Sequence, residues 1–299
     1  MKRQFMLPIL ALTLSLLSSC GPQPPAAQSP ATKAAPTSAA PSKIRSYPAI
    51  KPKGPAATQS ATHTSKVHPF ADRLEWKGLA IASPGYHVWG SSPVIGPKGK
   101  VHIFASRWAA KGGVDHSWLS TSEIAHYVAD KPAGPFQFVD VALKGTGKDT
   151  WDRYAPCNPV AVKVDGKYVL FYIATPGGIS EGMAKHTPPQ RIGMATADSP
   201  NGPWTKAGNG GLILSPSTDP AHWTYRASNG VTNPAFVKAP NGKYHLYFKS
   251  ARSRMGLAIA DTLEGPYVHT KDPVTKNDTV IEDGYAFVQN GRFHLLTTD

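Results

Sequence analysis

The sequence predicts an all-β protein built from a radially repeated unit, and three observations carry that reading. The first is a hairpin pattern that recurs four times: a short polar opening, an apolar strand, a glycine turn and a second strand. It starts at Ser92-Pro93, Asn158-Pro159, Asn233-Pro234 and Glu282-Asp283-Gly284, and its turns fall at Gly99-Lys100, Asp165-Gly166, Gly242-Lys243 and Gly291-Arg292. The second is a tighter pattern behind each of the first three hairpins. Ile124 to Phe136, Ile192 to Trp204 and Met255 to Tyr267 all end in Ala-Asp, three variable residues and Gly-Pro-aromatic, which makes Asp130, Asp198 and Asp261 equivalent. The third is composition: 27 Gly, 29 Pro, 17% charged residues and only short apolar runs favour strands and turns over helices. A hairpin, a third strand and a Gly-Pro turn, returning in that order along the chain, describe a β-propeller blade.

Taken in order, the chain begins with a targeting pattern. Lys2 and Arg3 precede an apolar run, Phe5 to Leu17, which is short for a membrane span and suited to a signal-peptide core. Leu17-Ser18-Ser19-Cys20 resembles a bacterial lipobox, which implies that residues 1–20 are a lipoprotein signal and that Cys20 is lipidated. An ordinary signal peptide cleaved elsewhere is the alternative. Gly21 and Pro22 follow, without the Asp that commonly retains such proteins in the inner membrane, so the expected location is the cell envelope, lipid-anchored at the outer membrane. With Cys20 lipidated, Cys157 has no disulfide partner and is read as packing rather than as a nucleophile.

Residues 21–69 are Pro, Ala, Ser, Thr and Lys with almost no large apolar side chain, the composition of a disordered tether. Between residues 21 and 70 stand six Lys or Arg and no Asp or Glu, a large part of the net charge of +13. Such a stretch suits a solvated tether near an anionic envelope surface better than a nucleic-acid site, and no nucleic-acid partner is expected.

The folded part is expected over residues 70–299, as a monomer. Leu74-Glu75-Trp76 reads as an outer strand. Blade one runs from about Tyr86 to Phe138 and opens with YHVWGSSPVI; its long loop, Trp108 to Ser120, holds Asp115, His116 and Trp118 and is placed at the rim of the propeller mouth. Blade two spans about Asp152 to Ala207, blade three about Arg226 to His269, and a fourth begins near Val280. Three and a half blades leave open strand edges. Either residues 70–86 complete the last blade, or the sequence is a piece of a longer chain that lacks its last blade; both readings stay open.

The hairpins, the Asp-Gly-Lys-Tyr turn and the Ala-Asp-x-x-x-Gly-Pro-aromatic returns resemble the five-bladed propeller glycoside hydrolases around families 43 and 117, over roughly Tyr86 to Asp299. The resemblance implies a five-bladed β-propeller. Enzymes on this scaffold include arabinofuranosidases, xylosidases, galactan-degrading enzymes and neoagaro-oligosaccharide hydrolases, and fold alone does not choose among them. Family 43 sets an acidic residue on the innermost strand of each of three blades: an Asp as base, an Asp that tunes and orients, and a Glu as acid.

Carried over position by position, Glu282 matches the acid, nine residues before the turn glycine Gly291. Ser92 and Asn158 stand where the family has Asp, and neither takes a proton from water at neutral pH. Elimination among the 19 acidic residues leaves Asp152 and Asp283 as base candidates and Glu123 as a third, which could instead be a structural partner for an Arg. Asp130, Asp198 and Asp261 read as turn formers or caps.

Arg107, Arg191 and Lys249 sit at comparable strand ends, and together they would suit a carboxylated or sulfated sugar. Asn158, Asn233 and Glu123 are counted with them as sugar contacts. Trp89, Trp108, Trp118 and Trp151 are candidates for stacking on sugar faces, at least two of them being core, and His87 for a contact beside Trp89. No metal-ligand spacing, phosphate loop or Ser-His-Asp arrangement is evident, no cofactor is identified, and a divalent cation in the channel has no support in the sequence. Three functions follow as expectations: a glycoside hydrolase acting on plant or algal oligosaccharides, a non-catalytic carbohydrate-binding propeller lipoprotein, or a purely structural envelope lipoprotein. Retention or inversion of stereochemistry stays open.

Overall fold

The YHVWGSSPVI stretch folds as expected, as strand β1 (Tyr86–Ile95), and opens an antiparallel sheet with β2 (Val101–Ala109), β3 (Glu123–Ala129) and β4 (Gln137–Lys144) in chain order. The computed structural model describes residues 75–76, 78–110, 117–177, 189–275 and 281–297. Blade two repeats the order with β5 (Tyr154–Val164), β6 (Lys167–Thr175), β7 (Arg191–Ala197) and β8 (Thr205–Lys206), and β9 (Leu212–Leu214) adds a second partner to β7. Blade three is β10 (Thr232–Lys238), β11 (Tyr244–Ser250), β12 (Arg254–Ala260) and β13 (Val268–His269). β14 (Gly284–Gln289) and β15 (Arg292–Thr297) form a two-stranded hairpin. One four-residue helix, α1 (Trp118–Thr121), is the only α-helix among the described residues.

Local chemistry explains the turns. Asp165 and Gly166 both have positive φ, as do Asn290 and Gly291, which is the backbone that a two-residue hairpin loop between right-twisted strands requires. At the three Gly-Pro-aromatic returns the peptide bond is cis, at Gly134-Pro135, Gly202-Pro203 and Gly265-Pro266. The equivalent Asp residues do not cap these turns. Each pairs with the lysine of its own blade's hairpin turn: Lys100 to Asp130 at 2.9 Å, Lys167 to Asp198 at 3.1 Å and Lys243 to Asp261 at 2.6 Å. These pairs are exposed and so weak, but their recurrence confirms that the three positions are equivalent.

The core lies between blades, and strand alternation builds it. Along β6, Val169, Phe171 and Ile173 face blade three, where they meet Phe236, Leu246 and Phe248; Leu170, Tyr172 and Ala174 face blade one, against Phe104 and Ile124. A third cluster joins Ala235, Tyr247 and Met255 of blade three to Ala286 and Leu295 of the β14–β15 hairpin. Both faces of a middle strand are therefore buried, which is why β2 and β6 read as mostly apolar and small residues, with His102 and Arg107 as buried polar exceptions in β2.

The outer strand expected at 74–76 is not seen. Glu75 and Trp76 belong to no strand and Trp76 is 81% exposed, while Leu74 lies outside the described residues. The signal, Cys20 and the tether lie outside the described residues, as do Asp115 and His116.

Candidate active site

The first strands of the blades converge: β1 packs on β5, β5 on β10 and β10 on β14. Each of the first three breaks its register where the repeated polar opening lies. The breaks fall at Trp89/Ser91 in β1, at Cys157/Val160 in β5 and at Thr232/Ala235 in β10. Gly90, Asn158 and Asn233 take the left-handed turn at these bulges, with φ of 52°, 47° and 48°. Asn tolerates that conformation better than any residue but Gly. A bulge re-aims the side chain it carries, and Asn158 and Asn233 are both delivered to the wall of one cavity of about 370 Å³.

All three described blades and the residues before the β14–β15 hairpin contribute to that cavity. β1 and β2 supply Trp89 and Trp108, and α1 supplies Trp118 and Leu119, so the long loop of blade one does reach the mouth. Blade two adds Cys157, Asn158 and Gln190; blade three adds Asn233 and Lys249; and Glu282 completes the wall just before β14. Glu282 is the only carboxylate on the wall among the described residues. Lys249 Nζ donates to its Oε1 at 3.0 Å, the lysine being buried and the glutamate more than half exposed.

Asp283 stands one hydrogen bond behind the wall, accepting Asn233 Nδ2–H on Oδ1 at 2.7 Å. Burial pushes the Asp283 carboxyl above its ordinary value and the neighbouring Glu282 charge adds to this, while the Asn233 bond and Lys249 pull it down. Burial likewise pushes the Cys157 thiol up, in keeping with packing rather than nucleophilic chemistry.

Several other expected site residues lie elsewhere. Asp152 is 2% exposed and is not on the wall; its carboxylate is taken by Lys206 Nζ, by Thr150 Oγ1 at 3.0 Å and by Tyr172 O–H at 3.3 Å. Arg107 donates from Nε to Glu123 Oε1 at 2.8 Å, and its guanidinium lies over the rings of Tyr86 and Phe138, at 4.4 and 4.0 Å from their centroids. Glu123 is thus the structural partner of an Arg. Arg191 is absent from the wall, and its Nε is sealed with no acceptor among the described residues.

His87 packs beside Trp108, with ring centroids 5.4 Å apart, and is not on the wall. Trp151 stacks on Tyr172 and donates to Gly210 O at 2.9 Å, also away from it. Ser92, in place of the family's Asp, ties blades one and two by accepting the Ala161 N–H on Oγ at 2.9 Å. Of the three expected cations, only Lys249 reaches the cavity, already paired with Glu282; the cationic cluster for an anionic sugar is not assembled there.

The sequence reading missed Gln190, Ser228, Asn229 and Thr232, all on the wall. Gln190 is knitted to the loop before β10: its N–H donates to Asn229 O at 3.3 Å and its carbonyl accepts from Val231 N–H at 3.0 Å. Gly230 was the available signal, since a Cβ there would stand 2.0 Å from Gln190 O. Among the described residues no group of three or more His, Cys, Asp or Glu is placed to hold a metal ion.

No protein-family model and no curated protein matches the sequence. Solved structures do match. A family 117 glycoside hydrolase from the marine bacterium Zobellia galactanivorans aligns with a TM-score of 0.54 at 22% identity, over 72% of this chain and 67% of that one. An α-L-arabinofuranosidase from Clostridium thermocellum aligns with a TM-score of 0.50 at 16% identity, over 69% of this chain and 62% of that one. At such identities the likeness speaks to the fold, and the chain has the β-propeller fold of the five-bladed glycoside hydrolases.

Proposed function

We propose that this chain is a glycoside hydrolase that takes oligosaccharides derived from plant or algal polysaccharides into its axial cavity. In this reading Glu282 is the carboxyl that acts on the glycosidic oxygen, Lys249 fixes its orientation, and Trp89 and Trp118 offer faces on which sugar rings stack. One observation carries it: on a propeller shared with glycoside hydrolases, a carboxylate held by a buried lysine faces a cavity walled by tryptophans and carboxamides. Such a wall supplies the apolar faces and the few fixed polar groups that sugar recognition uses. Asp152, held by three partners, is given no part in proton transfer.

A second reading is favoured by the same wall. Glycoside hydrolysis ordinarily needs two carboxyl groups flanking the bond, and the described wall offers one. A propeller that binds an oligosaccharide without cleaving it fits that count. We further propose, from the lipobox-like sequence alone, that the protein is anchored in the bacterial envelope through Cys20.

The test is hydrolysis of arabino-, xylo-, galacto- and neoagaro-oligosaccharides, neutral and anionic, by the purified chain and its Glu282→Gln variant. A hydrolase shows turnover that falls by roughly 10²-fold or more in the variant, the range for a lost acid or base. Unchanged turnover in the variant removes Glu282 from the chemistry. Binding without turnover replaces the hydrolase with the binding propeller.

A further inference from the structure

We infer that Asp283 is a positioning residue that works through Asn233: by taking the Nδ2–H it turns the carboxamide oxygen toward the cavity, so that this part of the wall selects a sugar hydroxyl. The inference rests on the proposal that the cavity receives an oligosaccharide, and it assigns Asp283 a role other than base.

The geometry points this way from both residues. Asn233 is 6% exposed, on the wall, and carried there by the β10 bulge. Its Nδ2 lies 2.7 Å from Asp283 Oδ1, a bond that joins blade three to the segment before β14. An ionised carboxylate can only accept, so the amide must present its N–H side to Asp283 and its oxygen away from it. That oxygen takes no hydrogen bond from a described residue and is not sealed from solvent.

Glu282 and Asp283, adjacent in the segment before β14, divide the work: the first side chain is on the wall, the second one hydrogen bond behind it. Each holds or is held. Lys249 fixes Glu282 through Oε1, and Asp283 fixes Asn233 through Nδ2, so the Asn233 carboxamide oxygen is held as an acceptor on the wall that Glu282 shares. A fixed acceptor favours a donor hydroxyl and disfavours a carboxylate or sulfate at the same position, which would set acceptor against acceptor.

A double-mutant cycle tests the coupling. The probes are 4-nitrophenyl α-L-arabinofuranoside, β-D-xylopyranoside and β-D-galactopyranoside for turnover, with calorimetry on arabinobiose, xylobiose and galactobiose so that binding is read independently of hydrolysis. Asn233→Ala and Asp283→Ala are each expected to raise KM, or Kd, roughly tenfold, the loss of one hydrogen bond, with kcat within about threefold. The double variant is expected to be no worse than Asn233→Ala alone. Should Asp283→Ala fail to fold, Asp283→Leu, which fills the space and cannot accept the Nδ2–H, carries the same cycle.

Two results overturn the inference while leaving the oligosaccharide reading intact: Asp283 variants that lower kcat at constant KM, or losses that add in the double variant. If none of these probes binds to or is turned over by the wild-type chain, the oligosaccharide reading falls, and the inference with it.

Discussion

Asp152 and Glu282 resemble each other in sequence, each an acid just ahead of a blade's first strand, and their surroundings make them different groups. Asp152 is sealed against Lys206, Thr150 and Tyr172, and burial, with the Asp152 charge behind it, pushes the Tyr172 phenol up. Removing one member of a buried ion pair leaves an uncompensated charge, which costs on the order of 3 kcal/mol. Lys206→Met is therefore expected to lower the unfolding free energy by about that much in denaturant titrations, with oligosaccharide affinity unchanged in the folded fraction. A loss of affinity at constant stability would instead return Asp152 to the site. Glu282 was legible because its cue is local: it opens a hairpin whose turn is nine residues on. Asp152 was not, because the residue that neutralises it lies 54 positions away on the last strand of its own blade. The same holds for Arg107, whose partner Glu123 faces it in the β2–β3 register.

A blade is legible for the reason that makes single charges hard to place. Its opening hairpin turns on a short glycine-bearing loop, of two residues between β5 and β6 and of five between β1 and β2 or β10 and β11. Its middle strand is largely apolar on both faces and its return is marked by Gly-Pro, so the signals lie within a few residues of one another. The segment at 74–76 had the apolar composition of a strand but no such pairing signal, and Glu75 and Trp76 lie in no strand. One blade also carries a feature that the pattern does not announce. His102 on β2 and His126 on β3 face each other with Nδ1 and Nε2 2.8 Å apart, and His126 Nδ1 lies 3.2 Å from Asp140 Oδ1 on β4. With Asp140 accepting from His126 Nδ1–H, the His126 Nε2 lone pair accepts from His102 Nδ1–H, and both rings are neutral. Burial, the adjacent His126 and Lys100 lower the His102 pKa to about 4, and burial lowers that of His126 against the pull of Asp140. A depressed folded pKa means that the unfolded chain binds protons the folded one does not. The stabilisation is therefore complete above the ordinary histidine value of 6.5 and is lost as pH falls from there toward about 4. Denaturant unfolding at neutral pH and near the lower end of that window is expected to show the fall, and His102→Gln to reduce it. An identical fall in the variant would remove the histidine pair as its source.

At the scale of the whole molecule the cavity belongs to no single blade. Its wall draws on β1, β5, β10 and the residues before β14, so the radial repeat itself foretold which distant residues meet, and Asn158, Asn233, Lys249, Trp89 and Glu282 do share one wall. What the repeat could not foretell came from the irregular links between blades, such as Gln190 against Gly230, where no pattern recurs. The remaining question of scale is where such a cavity is held. The chain carries a net charge of +13, and residues 21–70 contribute six of its cations and none of its acids. A single acyl chain gives only marginal membrane binding, whereas lipid chains combined with a basic stretch near an anionic surface reinforce each other. If Cys20 is the lipidated residue, the wild-type chain expressed in a bacterial host will incorporate labelled palmitate and sediment with membranes. Cys20→Ser will then lose the label and enter the soluble envelope fraction, because a basic tether alone is released by salt. Membrane retention of Cys20→Ser in high salt, or a wild-type chain without label, would discard the anchor and leave the hydrolase proposal to stand on the cavity alone.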